Sequence, residues 1–366
     1  MLSGNSVLLT GDSIVGNVRT SDTPGGPDAR TAGGRGRVLV ARARRCADPA
    51  PAGVPMTLDP INPFAVHPFV SAVQPLEPFS HPHDGLYVAV GDSEGQYLNF
   101  QKQLGDLSSV VDYGRTVLVN GDTGCGKSAL VNRCAAWART RFGERKIVAT
   151  VVDATKPLKR FEQLSLDMRM VGMCDRLFDL MRKDRLIRDE FVDEFERNRK
   201  EPERVYVNLG DYMHRDHALI LLLPTPVELL QEVVRYADFA PPRVLFMLES
   251  DVLRDEHVEQ IERAVERWTK PVVLTVGRLV EGDVKRFVDQ RTGENRDRGR
   301  FPRMSDETVA AVGEKVQTVA QLQRTLHSTF EYLMEHAEDY DNDARVTIEH
   351  IIEEAERVPK DGWGTS

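Results

Sequence analysis

The stretch Arg115-Thr-Val-Leu-Val-Asn120, followed at once by Gly121-Asp-Thr-Gly-Cys-Gly-Lys-Ser128, decides the fold. The first part is β-branched and apolar, as a buried strand requires. The second satisfies the phosphate-loop pattern G-x-x-x-x-G-K-[ST]. Its glycines permit positive φ and let the backbone approach phosphate oxygens closely. Successive backbone N–H groups then point into one concavity, and the amino terminus of the following helix adds its partial positive charge. Lys127 is expected to reach the β- and γ-phosphates as a point charge. The Ser128 hydroxyl is expected to bind Mg²⁺, a hard ion that prefers oxygen. The expected nucleotide-binding residues are therefore Gly121, Asp122, Thr123, Gly124, Cys125, Gly126, Lys127, Ser128 and Ala129, with Ser128 as the metal ligand. The constrained positions of such a loop match by chance in roughly one chain in a hundred of this length.

Outward from the loop, residues 128–141 read as a helix and 96–111 as another before the strand. Further apolar, β-branched runs stand at 147–153, 205–209, 218–223, 244–248 and 272–276. Helical patterns at 161–181, 227–236 and 256–268 lie between most of them. Alternation of this kind predicts an α/β fold with a mostly parallel sheet covered on both faces. After Val276 the strands stop, and helical patterns occupy 281–290, 306–315, 319–337 and 347–357. Ser305 and Thr318 stand where N-caps belong. The expected organisation is a P-loop core over 84–279 and a small all-helical lid over 280–358. A tail over 1–55, a linker over 56–83 and a second tail over 359–366 complete it.

Residues 23–55 are dominated by Gly, Pro, Ala and Arg, a composition that cannot offset the entropy of ordering. Met56, just beyond, is a second candidate for the natural start. The 366 residues are 41% hydrophobic and 29% charged, with net charge −9, which offers no global attraction to nucleic acid or acidic membranes. No apolar run is long enough to span a bilayer, and the amino terminus lacks a secretory pattern. Cys46, Cys125, Cys134 and Cys174 form no C-x-x-C pair, so neither a disulfide framework nor a zinc site is expected. A reducing cytoplasm is the expected location.

The base and the acid follow from what is missing. Guanine-specific loop proteins carry an N/T-K-x-D element, and the nearest match, Thr269-Lys-Pro-Val272, has no aspartate. ATP is expected. Hydrolysis needs an acid at the end of a strand, to hold Mg²⁺ through water and to polarise the attacking water. His217-Ala-Leu-Ile-Leu-Leu-Leu-Pro224 has the apolar run but ends in Pro-Thr-Pro. Val244-Leu-Phe-Met-Leu-Glu-Ser-Asp251 ends with Glu249 and Asp251, the catalytic candidates, and Asp153 is a third acid at a strand end.

With Gly124 the loop takes the G-x-x-G-x-G-K-[ST] form, and in this the chain resembles the AAA+ superfamily, particularly its initiator-like and STAND-like bacterial ATPases. The resemblance spans roughly 84–357 and implies a P-loop core with a mostly parallel five-stranded sheet, then a helical lid. Val272-Val-Leu-Thr-Val-Gly-Arg-Leu279 and Gly282-Asp-Val-Lys-Arg-Phe-Val-Asp-Gln-Arg291 resemble the passage from the last core strand into the first lid helix. Thr318-Val-Ala-Gln-Leu-Gln-Arg-Thr-Leu326 looks like the lid helix that begins with an arginine touching the γ-phosphate. Here that place holds Ala320 or Gln321, with Arg324 about one turn further on. The family's strand order implies that 218–223 takes the acid-bearing place without an acid, and that 244–251 takes the polar-sensor place with Glu249 or Ser250 at its tip. An arginine finger acting across subunits is implied near Arg263 or Arg267.

The function these residues lead to is an ATP- and Mg²⁺-binding P-loop ATPase, a hydrolase with a displaced acid, that couples nucleotide state to lid closure or assembly. The alternatives are a non-hydrolysing signalling switch or scaffold and an initiator-like DNA-remodelling ATPase. Partners implied are ATP, another copy or another protein, and nucleic acid in the third case, with no membrane. His214 and His217 read as a polar loop, 183–201 as a solvated helix, and 291–303 as an exposed loop.

Overall fold

The computed structural model describes residues 58–156, 161–265 and 270–357. The expected tails, Met56 as a start, Cys46 and Arg267 lie outside the described residues.

β1 (Arg115–Asn120) sits inside a five-stranded sheet with β2 (Val148–Asp153), β3 (His217–Leu222), β4 (Val244–Ser250) and β5 (Val272–Thr275), ordered β2-β3-β4-β1-β5. Every pairing is parallel. The strands alternate sides strictly. Val117, Val119, Ile220 and Met247 join one buried cluster, while Leu118, Leu221, Phe246 and Leu248 join the other. A sheet buried on both faces explains why these strands read as continuous apolar runs in the sequence.

One face is covered by α1 (Ser93–Leu104), α2 (Ser108–Tyr113) and α3 (Lys127–Glu144), through Phe100, Val110, Leu130 and Phe142. The expected helix over 96–111 is thus two helices. Gly105 and Leu107 both take positive φ, +54° and +66°, and turn the chain between them. The other face is covered by α4 (Leu166–Lys183), α5 (Val192–Asn198), α6 (Pro202–Tyr212), α7 (Leu229–Asp238) and α8 (Asp255–Ala264).

The run 205–209 is not a strand but the middle of α6. Its β-branched residues suggested extension, yet Pro202 opens the first turn, and Val205, Tyr206, Leu209 and Gly210 are the buried positions. That spacing is helical, and Pro at the first turn is helix-compatible. The segment 183–201 is also not one solvated helix. It turns through a 3₁₀ turn at Asp189–Phe191 into α5, and Phe195 is fully buried against Tyr212, ring centroids 4.9 Å apart.

Beyond β5 come α9 (Asp283–Asn295), α10 (Asp306–Lys315), α11 (Val319–His336) and α12 (Ile348–Arg357). Between them, β6 (Arg303–Met304) and β7 (Arg345–Val346) form a two-residue parallel pairing. These helices share their own core of Phe287, Val312, Leu322, Leu326 and Phe330. Phe64 completes that core, stacked 6.3 Å from Phe287 and edge-on at 5.1 Å to Phe330. Asn62 anchors the same segment by donating to the His327 carbonyl and to the Glu331 carboxylate, both at 2.9 Å. The predicted N-caps are in place: Ser305 accepts from the Thr308 amide at 3.2 Å and Thr318 from the Gln321 amide at 3.3 Å. The start of 291–303 is helix, and Arg291 is 4% exposed with its guanidinium 5.6 Å from the Phe287 ring. Its aliphatic stem packs where the sequence suggested a solvated loop.

Candidate functional site

The chain leaves β1 at its carboxyl end, between β4 and the edge strand β5, and enters α3 through Gly121–Gly126. Backbone strain there is met by glycine. Gly124 and Gly126 take φ of +84° and +93°, the left-handed region. A Cβ on Gly121 would lie 2.4 Å from the Val276 carbonyl oxygen, so only glycine lets the loop pass so close to the exit of β5. The Gly121 amide donates to the Ser250 carbonyl at 3.1 Å, which pins the loop to the end of β4.

Lys127 begins α3, and its ammonium donates to the Gly121 and Asp122 carbonyls at 2.7 and 3.2 Å. The cation is thereby held over the loop, in the direction in which the amino terminus of α3 presents its own partial positive charge. Asp122 and Thr123 are exposed, and Cys125 is buried with burial pushing its thiol up. The Ala129 carbonyl accepts from the Tyr87 hydroxyl at 3.1 Å. A buried, protonated thiol is inert as a nucleophile.

Ser128 meets Glu249. The hydroxyl donates to Oε2 at 2.9 Å, across a register in which Val119 lies opposite Glu249 on the neighbouring strand. Burial pushes the Glu249 carboxyl up, while the Ser128 hydrogen bond and the Lys127 charge pull it down. Asp251 lies past the strand end and is exposed. Asp153 sits on β2, three strand spacings from β1, which is about 14 Å, and its carboxylate is spent on the Thr155 amide and hydroxyl at 2.9 and 2.6 Å. The end of β3 brings Leu222 and Leu223 to the place an acid would occupy, both buried.

These residues fit a triphosphate and a magnesium ion. Mg²⁺ is held through one or two protein oxygens, waters and phosphate oxygens, not by an all-protein cage. The Ser128 hydroxyl and the Glu249 carboxylate are such a pair of oxygen donors. No group of three or more His, Cys, Asp or Glu side chains among the described residues forms a separate metal site; His214 and His217 pack 5.2 Å apart, and His217 Nδ1 lies 3.0 Å from the Asp216 carboxylate.

The third helix beyond β5 reaches back to the loop. α11 starts directly over it: the Ala320 amide donates to the Gly124 carbonyl at 3.0 Å. A Cβ on Gly124 would lie 2.9 Å from Thr318 Oγ1, and one on Gly126 3.3 Å from Val319. Position 320 thus touches the loop by its backbone amide and methyl, so a second helix amino terminus faces the loop. Arg263 is on α8, exposed and paired with Glu259 at 2.9 Å.

Two contacts near the loop carried no signal in the sequence. Arg278, two residues past Val276, donates to the Asp122 carboxylate at 2.6 Å and to the Gln317 side-chain oxygen at 2.8 Å. Buried Asp283 accepts from the Gly91 amide at 2.9 Å, the Val280 amide at 3.1 Å and the Arg286 guanidinium at 2.6 Å, fastening the start of α9 to the segment before α1. Both residues lie in the stretches 272–279 and 282–291 that carry the resemblance, but a single charged residue's distant partners cannot be read from pattern alone.

No protein-family model matches the chain, and no curated protein matches it. Solved structures resembling it include the ORC1 protein of Aeropyrum pernix in complex with DNA, at 15% identity and TM-score 0.47, covering 73% of this chain and 66% of that one. The chain therefore spans just under two thirds of that protein. Domain III of the replication initiation protein DnaA of Thermotoga maritima matches at 13% identity and TM-score 0.42, covering 78% of this chain and 100% of that one. The ORC2 protein of Aeropyrum pernix matches at 13% identity and TM-score 0.44, covering 83% and 73%. No helix among the described residues is long and apolar enough to cross a membrane.

Proposed function

We propose that this chain, whose fold is that of an AAA+ P-loop ATPase, binds ATP with Mg²⁺ at Gly121–Ser128 and uses that binding to set how α11 sits on the loop. The observation that carries the reading is the Ser128–Glu249 hydrogen bond at 2.9 Å, beside Lys127 and beneath the amino terminus of α11. A hydroxyl, a carboxylate, an ammonium and two helix amino termini adjoin one loop, and this supports reading it as a seat for a magnesium-bound polyphosphate.

In this reading the backbone of Gly124–Lys127 and the Lys127 ammonium hold the β- and γ-phosphates, and Ser128 holds the ion. Magnesium, when bound, neutralises the phosphates and draws charge from the leaving oxygen. Glu249 holds the metal's waters or orients the attacking water, acting from the strand beside β1. The choice of ATP over GTP rests on the lack of an aspartate after Thr269-Lys270. Hydrolysis is slow in this account, because β3 is followed by Leu223-Pro224 and supplies no second acid. A binding switch that turns over little is the second reading, favoured by the same strand end.

Glu249→Gln separates the two. If Glu249 works on water, the variant should release phosphate about 10²- to 10⁴-fold more slowly than the parent, the range for a lost general base. Steady-state phosphate release with excess Mg²⁺ measures it. Equal rates in parent and variant would leave binding alone as the function.

The same variant tests the electrostatics. A carboxyl whose folded proton affinity is raised stabilises the fold below its ordinary value of 4.5, and that contribution is lost as pH rises through the raised value. Glu249→Gln, neutral throughout, should therefore melt higher than the ligand-free parent at neutral pH. The difference should shrink as pH falls below the ordinary carboxylate value. A thermal melt series across pH reads it.

A further inference from the structure

We infer that Arg278 is a positioning residue that carries nucleotide occupancy from the phosphate loop to the lid. The inference rests on the proposal that the loop binds ATP. Arg278 lies on the connection from β5 to α9, and its guanidinium holds two partners distant in sequence. Nε donates to Asp122 Oδ2 at 2.6 Å, and Nη1 donates to Gln317 Oε1 at 2.8 Å. The neighbouring Leu279 amide donates to the Gln317 carbonyl at 2.9 Å, so Gln317 is gripped by side chain and backbone together.

Gln317 is the residue before the Thr318 cap of α11. Its amide donates to Gln321 Oε1 at 2.9 Å, the side chain that closes the capping box of that helix. The path therefore runs from the second residue of the loop, through one guanidinium, to the cap of the helix that touches Gly124.

Charge explains why the path matters. Asp122 places a carboxylate at the shoulder of a loop built to receive polyphosphate. Unneutralised, it would oppose the ligand, since like charges a few ångströms apart disfavour each other. Arg278 cancels it and uses the same contact to hold the cap of α11. Both side chains are more than half exposed, at 59% and 53%. An exposed pair of this kind contributes little to global stability. Its removal should thus alter binding and lid order while the fold stays intact.

The test uses the full chain. Mg²⁺–ATP is titrated calorimetrically into the parent, Arg278→Ala, and the double variant Arg278→Ala/Asp122→Asn. Amide hydrogen exchange is followed over 317–322, and urea unfolding confirms the fold. Arg278→Ala should bind about tenfold more weakly, and the double variant should regain most of that loss because no bare carboxylate remains. Exchange over 317–322 should be faster in both variants. Arg278→Ala binding as tightly as the parent, a double variant no better than the single, or unchanged exchange would each overturn the inference. A folded parent that binds no ATP would instead remove the reading beneath it, and the inference with it.

Discussion

Lys127→Ala should weaken Mg²⁺–ATP binding about 30- to 100-fold, the equivalent of roughly 2–3 kcal/mol for hydrogen bonds to charged groups. Two losses add. The ammonium is the fixed positive side chain at the start of α3, held over the loop by the Gly121 and Asp122 carbonyls at 2.7 and 3.2 Å. Removing it deletes the point charge and frees those carbonyls, which then face an anion with no cation between. The side chain is not part of either buried cluster of the sheet, so unfolding by urea should barely change. Calorimetric titration of a folded variant gives the answer. Affinity within about threefold of the parent would place the phosphates elsewhere.

Glu232→Ala should destabilise the fold by about 3–5 kcal/mol, the usual cost of breaking a buried ion pair from one side. Arg169 on α4 and Glu232 on α7 are 2% and 3% exposed, 2.7 Å apart. The same Glu232 oxygen accepts from the Val227 and Glu228 amides at 2.9 Å each. Truncation therefore takes from a buried guanidinium its buried carboxylate, leaving it the half-exposed Glu228 at 3.2 Å and the Leu164 carbonyl, and leaves two loop amides without that acceptor. Arg169→Met/Glu232→Met should recover part of the loss by removing both charges. The amides remain unserved, so recovery should be incomplete. Urea unfolding followed by circular dichroism measures all of these. A cost below about 1 kcal/mol, as expected of exposed pairs such as Arg141–Glu144, would show that the pair is not buried in solution.

This pair also holds the turn after β3, the place where the resemblance led one to seek an acid. There the chain spends its carboxylates on structure. Glu232 caps the turn, and Glu228 pairs with Arg169 at 3.2 Å. The acid near Ser128 comes from the next strand, β4.

Much of the fold was legible because its signals are local. The apolar runs of β1 to β5, the caps Ser305 and Thr318 and the glycines of the loop each announce themselves within a few residues. The run 205–209 was misread because Val, Tyr and Val favour extension when considered alone. What makes them helical is the partner surface: Tyr206 packs edge-on at 5.8 Å against both Tyr236 and Phe246. That surface comes from chain thirty or more residues away, so a window of neighbouring residues does not contain it.

The site divides the same way. Lys127 and Ser128 are fixed by a motif. Glu249 was one acid among three until the register of β4 against β1 put it opposite Val119, and the strand order put Asp153 at the far edge. Arg278 gave no signal, because its meaning lies in partners 156 and 39 residues away. Contacts of that span are properties of topology, not of pattern.

The most direct test of the account is calorimetric titration of the folded parent chain with ATP in excess Mg²⁺, and with GTP in parallel. The account predicts saturable binding of ATP at one site, weaker binding of GTP, and an ATP affinity lowered about 30- to 100-fold in Lys127→Ala. No saturable heat up to about 1 mM ATP, the limit near −4 kcal/mol, or binding untouched by Lys127→Ala, would contradict it.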